Sequence, residues 1–298
     1  MALLKTLLDN IEKASLGPLV RDVKRSSRRR MLEIQYGEAS HPGKRRPNNE
    51  DAVGSYFPPT RSQVRSQGYF FAMADGVGAT DHGEIAAATA ISVVLRDFKR
   101  QQEGVMLSSL LPFLMQQANS AVYHRMLSPR YVDKKLATTL LLCAIRYDQA
   151  IVSHVGDTRC YLVRGGRPRL ITQDHTLLNE QKKNGTVSPK QAGEMENAHE
   201  LARSLGPDIL VTPDTTIFNL MAGDVLVLCT DGLHRVLTDS EIAAVASKKK
   251  KGTGETARDL VSRAVNLDGS ENATAQVIRI RSVERVGTSR RIPFLVSD

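Results

Sequence analysis

Leu136-Ala-Thr-Thr-Leu-Leu-Leu-Cys-Ala-Ile-Arg-Tyr147 and Ala150-Ile-Val-Ser-His-Val155 are two apolar, β-prone runs separated only by Asp148-Gln149. The spacing predicts a β-hairpin, because antiparallel strands close through a tight turn whereas parallel strands need a long crossover. Working outward, Arg159–Val163 and Arg169–Thr172 flank Gly165-Gly166, a second hairpin signal. Tyr69–Ala74 and Val225–Cys229 read as buried strands, Leu210–Asn219 as a further strand and Thr274–Arg281 as a closing one. Helical periodicity covers Glu84–Phe98 and Leu107–Leu127, where Pro112 is tolerable only near the first turn. Thr238-Asp-Ser-Glu241 is a capping-box pattern that opens a helix through Ala246, and Thr256–Val265 is another helix. Residues 173–208 are polar, with two short helices expected around Gly185. Helix pairs alternate with groups of adjacent strands and there is no internal repeat. That pattern predicts an α+β layered sandwich in preference to a doubly wound parallel sheet.

The chain has 298 residues, with 41 Lys+Arg against 32 Asp+Glu for a formal charge of +9. Hydrophobic residues make up 41% and charged residues 24%, which excludes global disorder. No stretch approaches ~18 uninterrupted apolar residues, so no membrane-spanning helix is expected. Cys143, Cys160 and Cys229 sit in apolar runs at irregular spacing, neither a disulfide framework nor a zinc pattern. They point to a reducing compartment, and a cytoplasmic location is expected.

Most of the positive charge is local. Residues 1–46 carry eleven basic residues against five acidic ones, leaving the other 252 nearly balanced. A second cluster, Lys248–Lys251, follows a predicted helix, where cations suit the helix C-terminus. Aromatic residues are 5% of the chain, Trp is absent, and none interleaves with the basic clusters, so stacking on nucleic acid is not expected. Leu3, Leu4, Leu7, Leu8 and Ile11 share one face of an N-terminal helix. That face would dock on the protein or a partner, or lie weakly on a membrane surface helped by Arg28–Arg30. It does not read as a signal peptide, because Lys5 and Asp9 interrupt it. Sequons at Asn184 and Asn272 carry little meaning without secretion.

Several acidic residues lie at strand ends, away from charged faces. Asp75-Gly76 follows Phe70-Phe71-Ala72-Met73-Ala74, and Asp231-Gly232 follows Val225–Thr230. Glu50-Asp51 precedes Ala52-Val53, Gly156-Asp157 ends Ile151–Val155, and Glu271-Asn272 precedes Thr274. Any one Asp-Gly is an ordinary turn signal. Carboxylates gathered at one sheet end would repel and lose hydration unless cations neutralised them. Hard divalent cations such as Mg²⁺ or Mn²⁺ suit an all-oxygen set.

The ordered set Arg46-x-x-Asn49-Glu50-Asp51, Ala74-Asp75-Gly76-Val77-Gly78, Gly156-Asp157-Thr158-Arg159, Asp174-His175, Thr230-Asp231-Gly232 and Glu271-Asn272-x-Thr274 is specific. It resembles the metal-dependent serine/threonine phosphatases of the 2C type, above all their compact bacterial branch. The likeness spans about residues 40–282, and Gly185-Thr-Val-Ser-Pro with Leu201–Gly206 resembles the family's flap segment.

The resemblance implies a four-layer α-β-β-α sandwich with two mainly antiparallel sheets and a metal centre at one end. It divides the chain into a basic, partly amphipathic extension (1–35), a phosphatase domain (36–282) and a tail (283–298). Asp75 would bridge two metals and the Gly76 carbonyl would ligate one. Asp231 and Glu271 would hold the first, Glu50 and Asp51 the second, and Asp157 a third, weakly bound ion. Arg46 would grip the substrate phosphate, a role suited to its planar fork of donors. Asn272 would support the ligands from behind. The implied cofactors are two Mn²⁺ or Mg²⁺ ions, with the third site weaker. In the implied reaction a metal-bridging hydroxide attacks phosphorus of phosphoserine or phosphothreonine in line. Substrates would be phosphorylated proteins, targets of a Ser/Thr kinase, and the enzyme a monomer.

Two departures from the family pattern stand out. Gly269-Ser270-Glu271-Asn272 is one residue shorter than the usual loop and has Glu where Asp is usual. The longer side chain would reach the metal from a tightened loop, with Asp268 the less favoured substitute. Val77 stands where some members place a proton-donating His, and neither His82 nor His175 is assigned as general acid. Cys229-x₅-Arg235 matches the spacing of cysteine-dependent phosphatases, but Asp231 in the cradle would oppose a thiolate. The alternative function is a catalytically weak phosphatase-like module that binds partners.

Overall fold

A computed structural model describes residues 30–77, 82–131, 134–185 and 199–285. Ten strands form two five-stranded antiparallel sheets among the described residues. The first sheet has the order β1 (Arg30–His41), β10 (Ala273–Arg285), β9 (Val225–Cys229), β6 (Arg159–Arg164) and β7 (Arg167–Leu170). The second has the order β2 (Asp51–Tyr56), β3 (Tyr69–Asp75), β4 (Leu140–Arg146), β5 (Gln149–Val155) and β8 (Asp214–Asn219).

The helices are α1 (Arg61–Ser66), α2 (Gly83–Lys99), α3 (Leu107–Met126), α4 (Leu177–Lys183), α5 (Asp231–His234), α6 (Asp239–Ala246) and α7 (Thr253–Leu267). Side-chain alternation along the strands generates the layers. In β4, Leu140, Leu142 and Ala144 pack on the α2/α3 side, while Leu141, Cys143 and Ile145 enter the space between the sheets. In β9, Val225, Val227 and Cys229 face α6 and α7, while Leu226 and Leu228 face the other sheet. Both strands are buried on both faces, which explains their nearly continuous apolar runs. The expected α-β-β-α sandwich is the observed one.

The central hairpin is present, with its two-residue loop at Tyr147-Asp148 and Gln149 paired to Arg146. Tyr147 takes the left-handed conformation, φ 58°, that this tight reversal requires. The next strand begins at Asp214, four residues later than Leu210, because Pro213 cannot donate to a sheet ladder. Pro112 lies in the second turn of α3, beyond the position tolerated by local rules, and removes the bond to the Ser108 carbonyl. Burial of Leu110, Leu111, Leu114 and Met115 around it keeps the helix intact. The Thr238 capping box opens α6 as expected.

β1 begins at Arg30 and pairs with β10 along its whole length, out to Arg285. The pairing crosses both boundaries expected for the phosphatase domain, because Leu32 and Ile34 are buried between the sheets. The apolar face at Leu3–Ile11 and residues Arg28–Arg29 lie outside the described residues, as do 186–198 of the flap-like stretch and the tail from 286. No helix among the described residues is long and apolar enough to cross a membrane.

Candidate metal and phosphate site

The strand-end carboxylates meet at one end of the sandwich. Asp51 opens β2 and Asp75 closes β3, and the two are direct register partners. Alternation places both on the side of Val53 and Met73, toward the space between the sheets. Asp157 follows β5, Asp231 follows β9 and Glu271 precedes β10. Arg46, Glu50, Asp75, Gly76, Asp157, Asp231, Glu271 and Asn272 line one cavity of about 430 Å³.

Glycine is required where the backbones come closest. A Cβ on Gly76 would lie 2.5 Å from the Gly83 carbonyl carbon and 2.9 Å from Glu50 Cβ. One on Gly232 would lie 2.1 Å from the Asn272 carbonyl oxygen. The Asp-Gly pairs are therefore packing constraints as well as turns.

Asp51 sits against both sheets. Its Oδ2 accepts from the hydroxyls of Thr230 (2.9 Å) and Thr274 (2.5 Å). Its Oδ1 is buried with no hydrogen-bond partner. Asp75 is held through its backbone, its N–H donating to Thr139 Oγ1 (3.0 Å) and its carbonyl accepting from the Thr138 hydroxyl (2.9 Å).

Two arginines share the remaining anions. Arg46 donates from Nε to Glu271 Oε2 and from Nη2 to Glu271 Oε1, both at 2.8 Å. Arg235 Nη2 lies 3.0 Å from Asp157 Oδ2 and 3.0 Å from Asp231 Oδ2. Asn272 uses its whole amide: Oδ1 accepts from the Glu50 N–H (2.8 Å), and Nδ2 donates to the carbonyls of Pro42 (2.8 Å) and Asn48 (2.9 Å). It thereby ties the segment that carries Arg46, Glu50 and Asp51 to the start of β10.

The electrostatics show what the cavity lacks. Burial, reinforced by nearby Asp231, pushes the Asp51 carboxyl up to about 7 and Asp157 up to about 6. Asp75 is raised well above the usual carboxylate range by burial and by Asp51, Asp231 and Asp157. Asp231 and Glu50 are raised as well, mainly by burial. Each shift disfavours the charged form, and added positive charge would restore it.

Among the described residues no three His, Cys, Asp or Glu side chains are closed into a ready metal cage. Glu271 is turned to Arg46, and Asp157 and Asp231 to Arg235. The donor set nonetheless fits a hard divalent cation: it is all oxygen, crowded with like charge, and leaves the buried Asp51 Oδ1 unpartnered. Buried orphan acceptors are rare in folded proteins.

The other expectations resolve simply. His175 is buried, stacked on His154 at 4.6 Å, and accepts the Gly156 N–H at Nδ1 (3.2 Å). Burial pulls it down to about 4, and it does not line the cavity. His82 pairs with Glu84, whereas Val77 does line the cavity. Asp174 receives a forked contact from Arg159, at 2.9 Å from Nε and 2.7 Å from Nη2. Cys229 is buried and its thiol is pushed up by that burial, and Arg235 is engaged by carboxylates. The cysteine-phosphatase spacing is thus accidental. Asn272 is buried and fully bonded, so its sequon is unusable.

Sequence reasoning missed Arg235 as a cavity residue, along with Thr139, His199, Glu200 and Ser204. Arg235 had a signal, since it stands four residues after Asp231. The others lie in segments without a strand-end pattern.

Residues 40–264 match the family model described as Protein phosphatase 2C. The protein phosphatase PhpP of Streptococcus pneumoniae is 29% identical over 239 residues, covering 79% of this chain and 93% of that one. A solved serine/threonine phosphatase of S. agalactiae superposes with a TM-score of 0.73 at 27% identity, over 84% of this chain and 100% of its own. The catalytic domain of the serine/threonine protein phosphatase PstP, solved with two manganese ions, gives a TM-score of 0.69 at 28% identity, over 85% and 100%.

Proposed function

The chain belongs to the protein phosphatase 2C family of serine/threonine protein phosphatases, and we propose that it removes phosphate from phosphoserine and phosphothreonine in proteins using two divalent cations held at this cavity. The observation that carries the reading is the meeting of Asp51, Asp75 and Asp231 at one sandwich end, with raised pKa values and an unpartnered buried oxygen on Asp51.

Asp75, the Gly76 carbonyl, Asp231 and Glu271 would hold one ion, and Asp75, Glu50 and Asp51 the other. When bound, Mn²⁺ or Mg²⁺ supplies Lewis acidity toward the phosphoryl oxygens and a water acidic enough to act as nucleophile near neutral pH. The protein supplies position. Thr230 and Thr274 aim the Asp51 carboxylate through two hydroxyl bonds. Asn272 fixes the Glu50 backbone. Glu271 takes the Nε and Nη2 donors of Arg46 and sets its orientation, and the Nη1 edge of the guanidinium at the cavity wall would meet the phosphoryl oxygens. Substrates are phosphoproteins, targets of a Ser/Thr kinase, and the three buried free cysteines agree with a cytoplasmic setting.

The test is phosphate release from a phosphothreonine peptide. Turnover should require Mn²⁺ or Mg²⁺, stop with a chelator, and be lost in Asp75→Asn. No turnover with either metal would instead favour a partner-binding module, in which the mutual pairing of Arg46 and Glu271 is purely structural.

A further inference from the structure

Arg235 is pinned between two carboxylates of the cavity. Its Nη2 lies 3.0 Å from both Asp157 Oδ2 and Asp231 Oδ2. The single turn α5 sets this geometry, because residues four apart share a helix face and the Arg235 N–H donates to the Asp231 carbonyl at 2.9 Å. The neighbouring His234 ring nitrogen contacts the Asp157 carbonyl at 2.9 Å, which fixes the Asp157 backbone against the same turn. The Asp157 side chain is 6% exposed and that of Arg235 39% exposed. The guanidinium therefore covers the carboxylate and faces the cavity that both residues line.

We infer that Arg235 is a built-in cation that takes the place of a metal ion at Asp157, so the cavity binds two divalent ions and no third. The inference rests on the phosphatase reading above. Arg235 meets Asp231 as an ion pair only, whereas it donates a hydrogen bond to the more deeply buried Asp157, so a dication beside Asp157 would have to displace a bonded positive charge from that carboxylate, and like charges so close disfavour one another. The guanidinium cannot relieve the repulsion by losing a proton, as a Lys or His could. Swinging it away would also break its contact with Asp231. Arg235 is thus a positioning residue: it neutralises Asp157 permanently and restrains Asp231.

Counting bound Mn²⁺ tests this independently of turnover. The full chain is stripped with chelator and titrated to saturation, with free Mn²⁺ read by electron paramagnetic resonance. Wild type should bind two equivalents, and Asp157→Asn should still bind two. Arg235→Ala should bind three, returning to two in the double variant Arg235→Ala/Asp157→Asn. Arg235→Gln is shorter than Arg but keeps an aliphatic stem and an N–H donor, so a folded, uncharged variant is available if Arg235→Ala does not fold, and it too should bind three. Three equivalents in wild type, loss of one in Asp157→Asn alone, or only two in the folded Arg235→Gln would each overturn the inference while leaving the phosphatase reading intact. Absence of Mn²⁺ binding in every variant would overturn both.

Discussion

Arg46 and Glu271, far apart in sequence, are joined by two parallel hydrogen bonds of 2.8 Å at the wall of the acidic cavity. The pairing raises the Arg46 pKa, chiefly through the hydrogen bond itself, and gives the guanidinium one orientation.

Both partners are more than a third exposed, so the pair adds only about 0–1 kcal/mol to stability. Glu271→Ala should therefore shift the melting temperature by no more than about 4 °C. It should lower kcat/KM for a phosphothreonine peptide by about 10–100-fold, the usual effect of removing a supporting contact at a metal site. Unchanged kcat/KM would show that Glu271 neither orients Arg46 nor serves the metal.

Asn272→Ala removes three hydrogen bonds inside the protein and leaves the Glu50 N–H and two carbonyls unsatisfied. The expected cost is about 2–4 kcal/mol, read as a melting temperature lowered by roughly 5–15 °C. A melting curve that overlays wild type would contradict this tie between β10 and the Glu50 segment.

The buried carboxyls make stability depend on pH. Asp51 titrates at about 7 and Asp157 at about 6 in the folded protein, against about 4 when unfolded. In that interval the folded, metal-free chain holds more protons than the unfolded one. Its contribution to stability is complete below about pH 4 and is lost as pH rises through about 6–7. Chelator-stripped protein should melt lower at pH 8 than at pH 5.5, and the stabilisation by Mn²⁺ should be larger at pH 8. The opposite trend in both would remove the raised carboxyls from the account.

Cys229 is buried, and its burial disfavours the thiolate. Cys229→Ala should retain turnover, with a stability loss of about 1–2 kcal/mol. Loss of activity in a folded Cys229→Ala protein would revive the thiol mechanism.

Much of the arrangement was legible because its signals are local. The two-face burial of β4 and β9 shows as continuous apolar runs, and Asp75 and Asp231 are marked by abrupt Asp-Gly endings. β1 as a whole and the start of β8 were not legible. β1 lies in a basic stretch and is a strand because β10 pairs with it and Leu32 and Ile34 find a core.

The sequence alone determined which residues alternate, where strands stop and which carboxylates stand at those stops, since each follows from neighbours within one turn or pleat. Only the tertiary structure decided which charges meet. Glu271 faces Arg46, and Arg235 faces Asp157, across separations no local pattern reports. Ion pairing depends on distance in space, and at this sandwich end space is set by how two sheets stack.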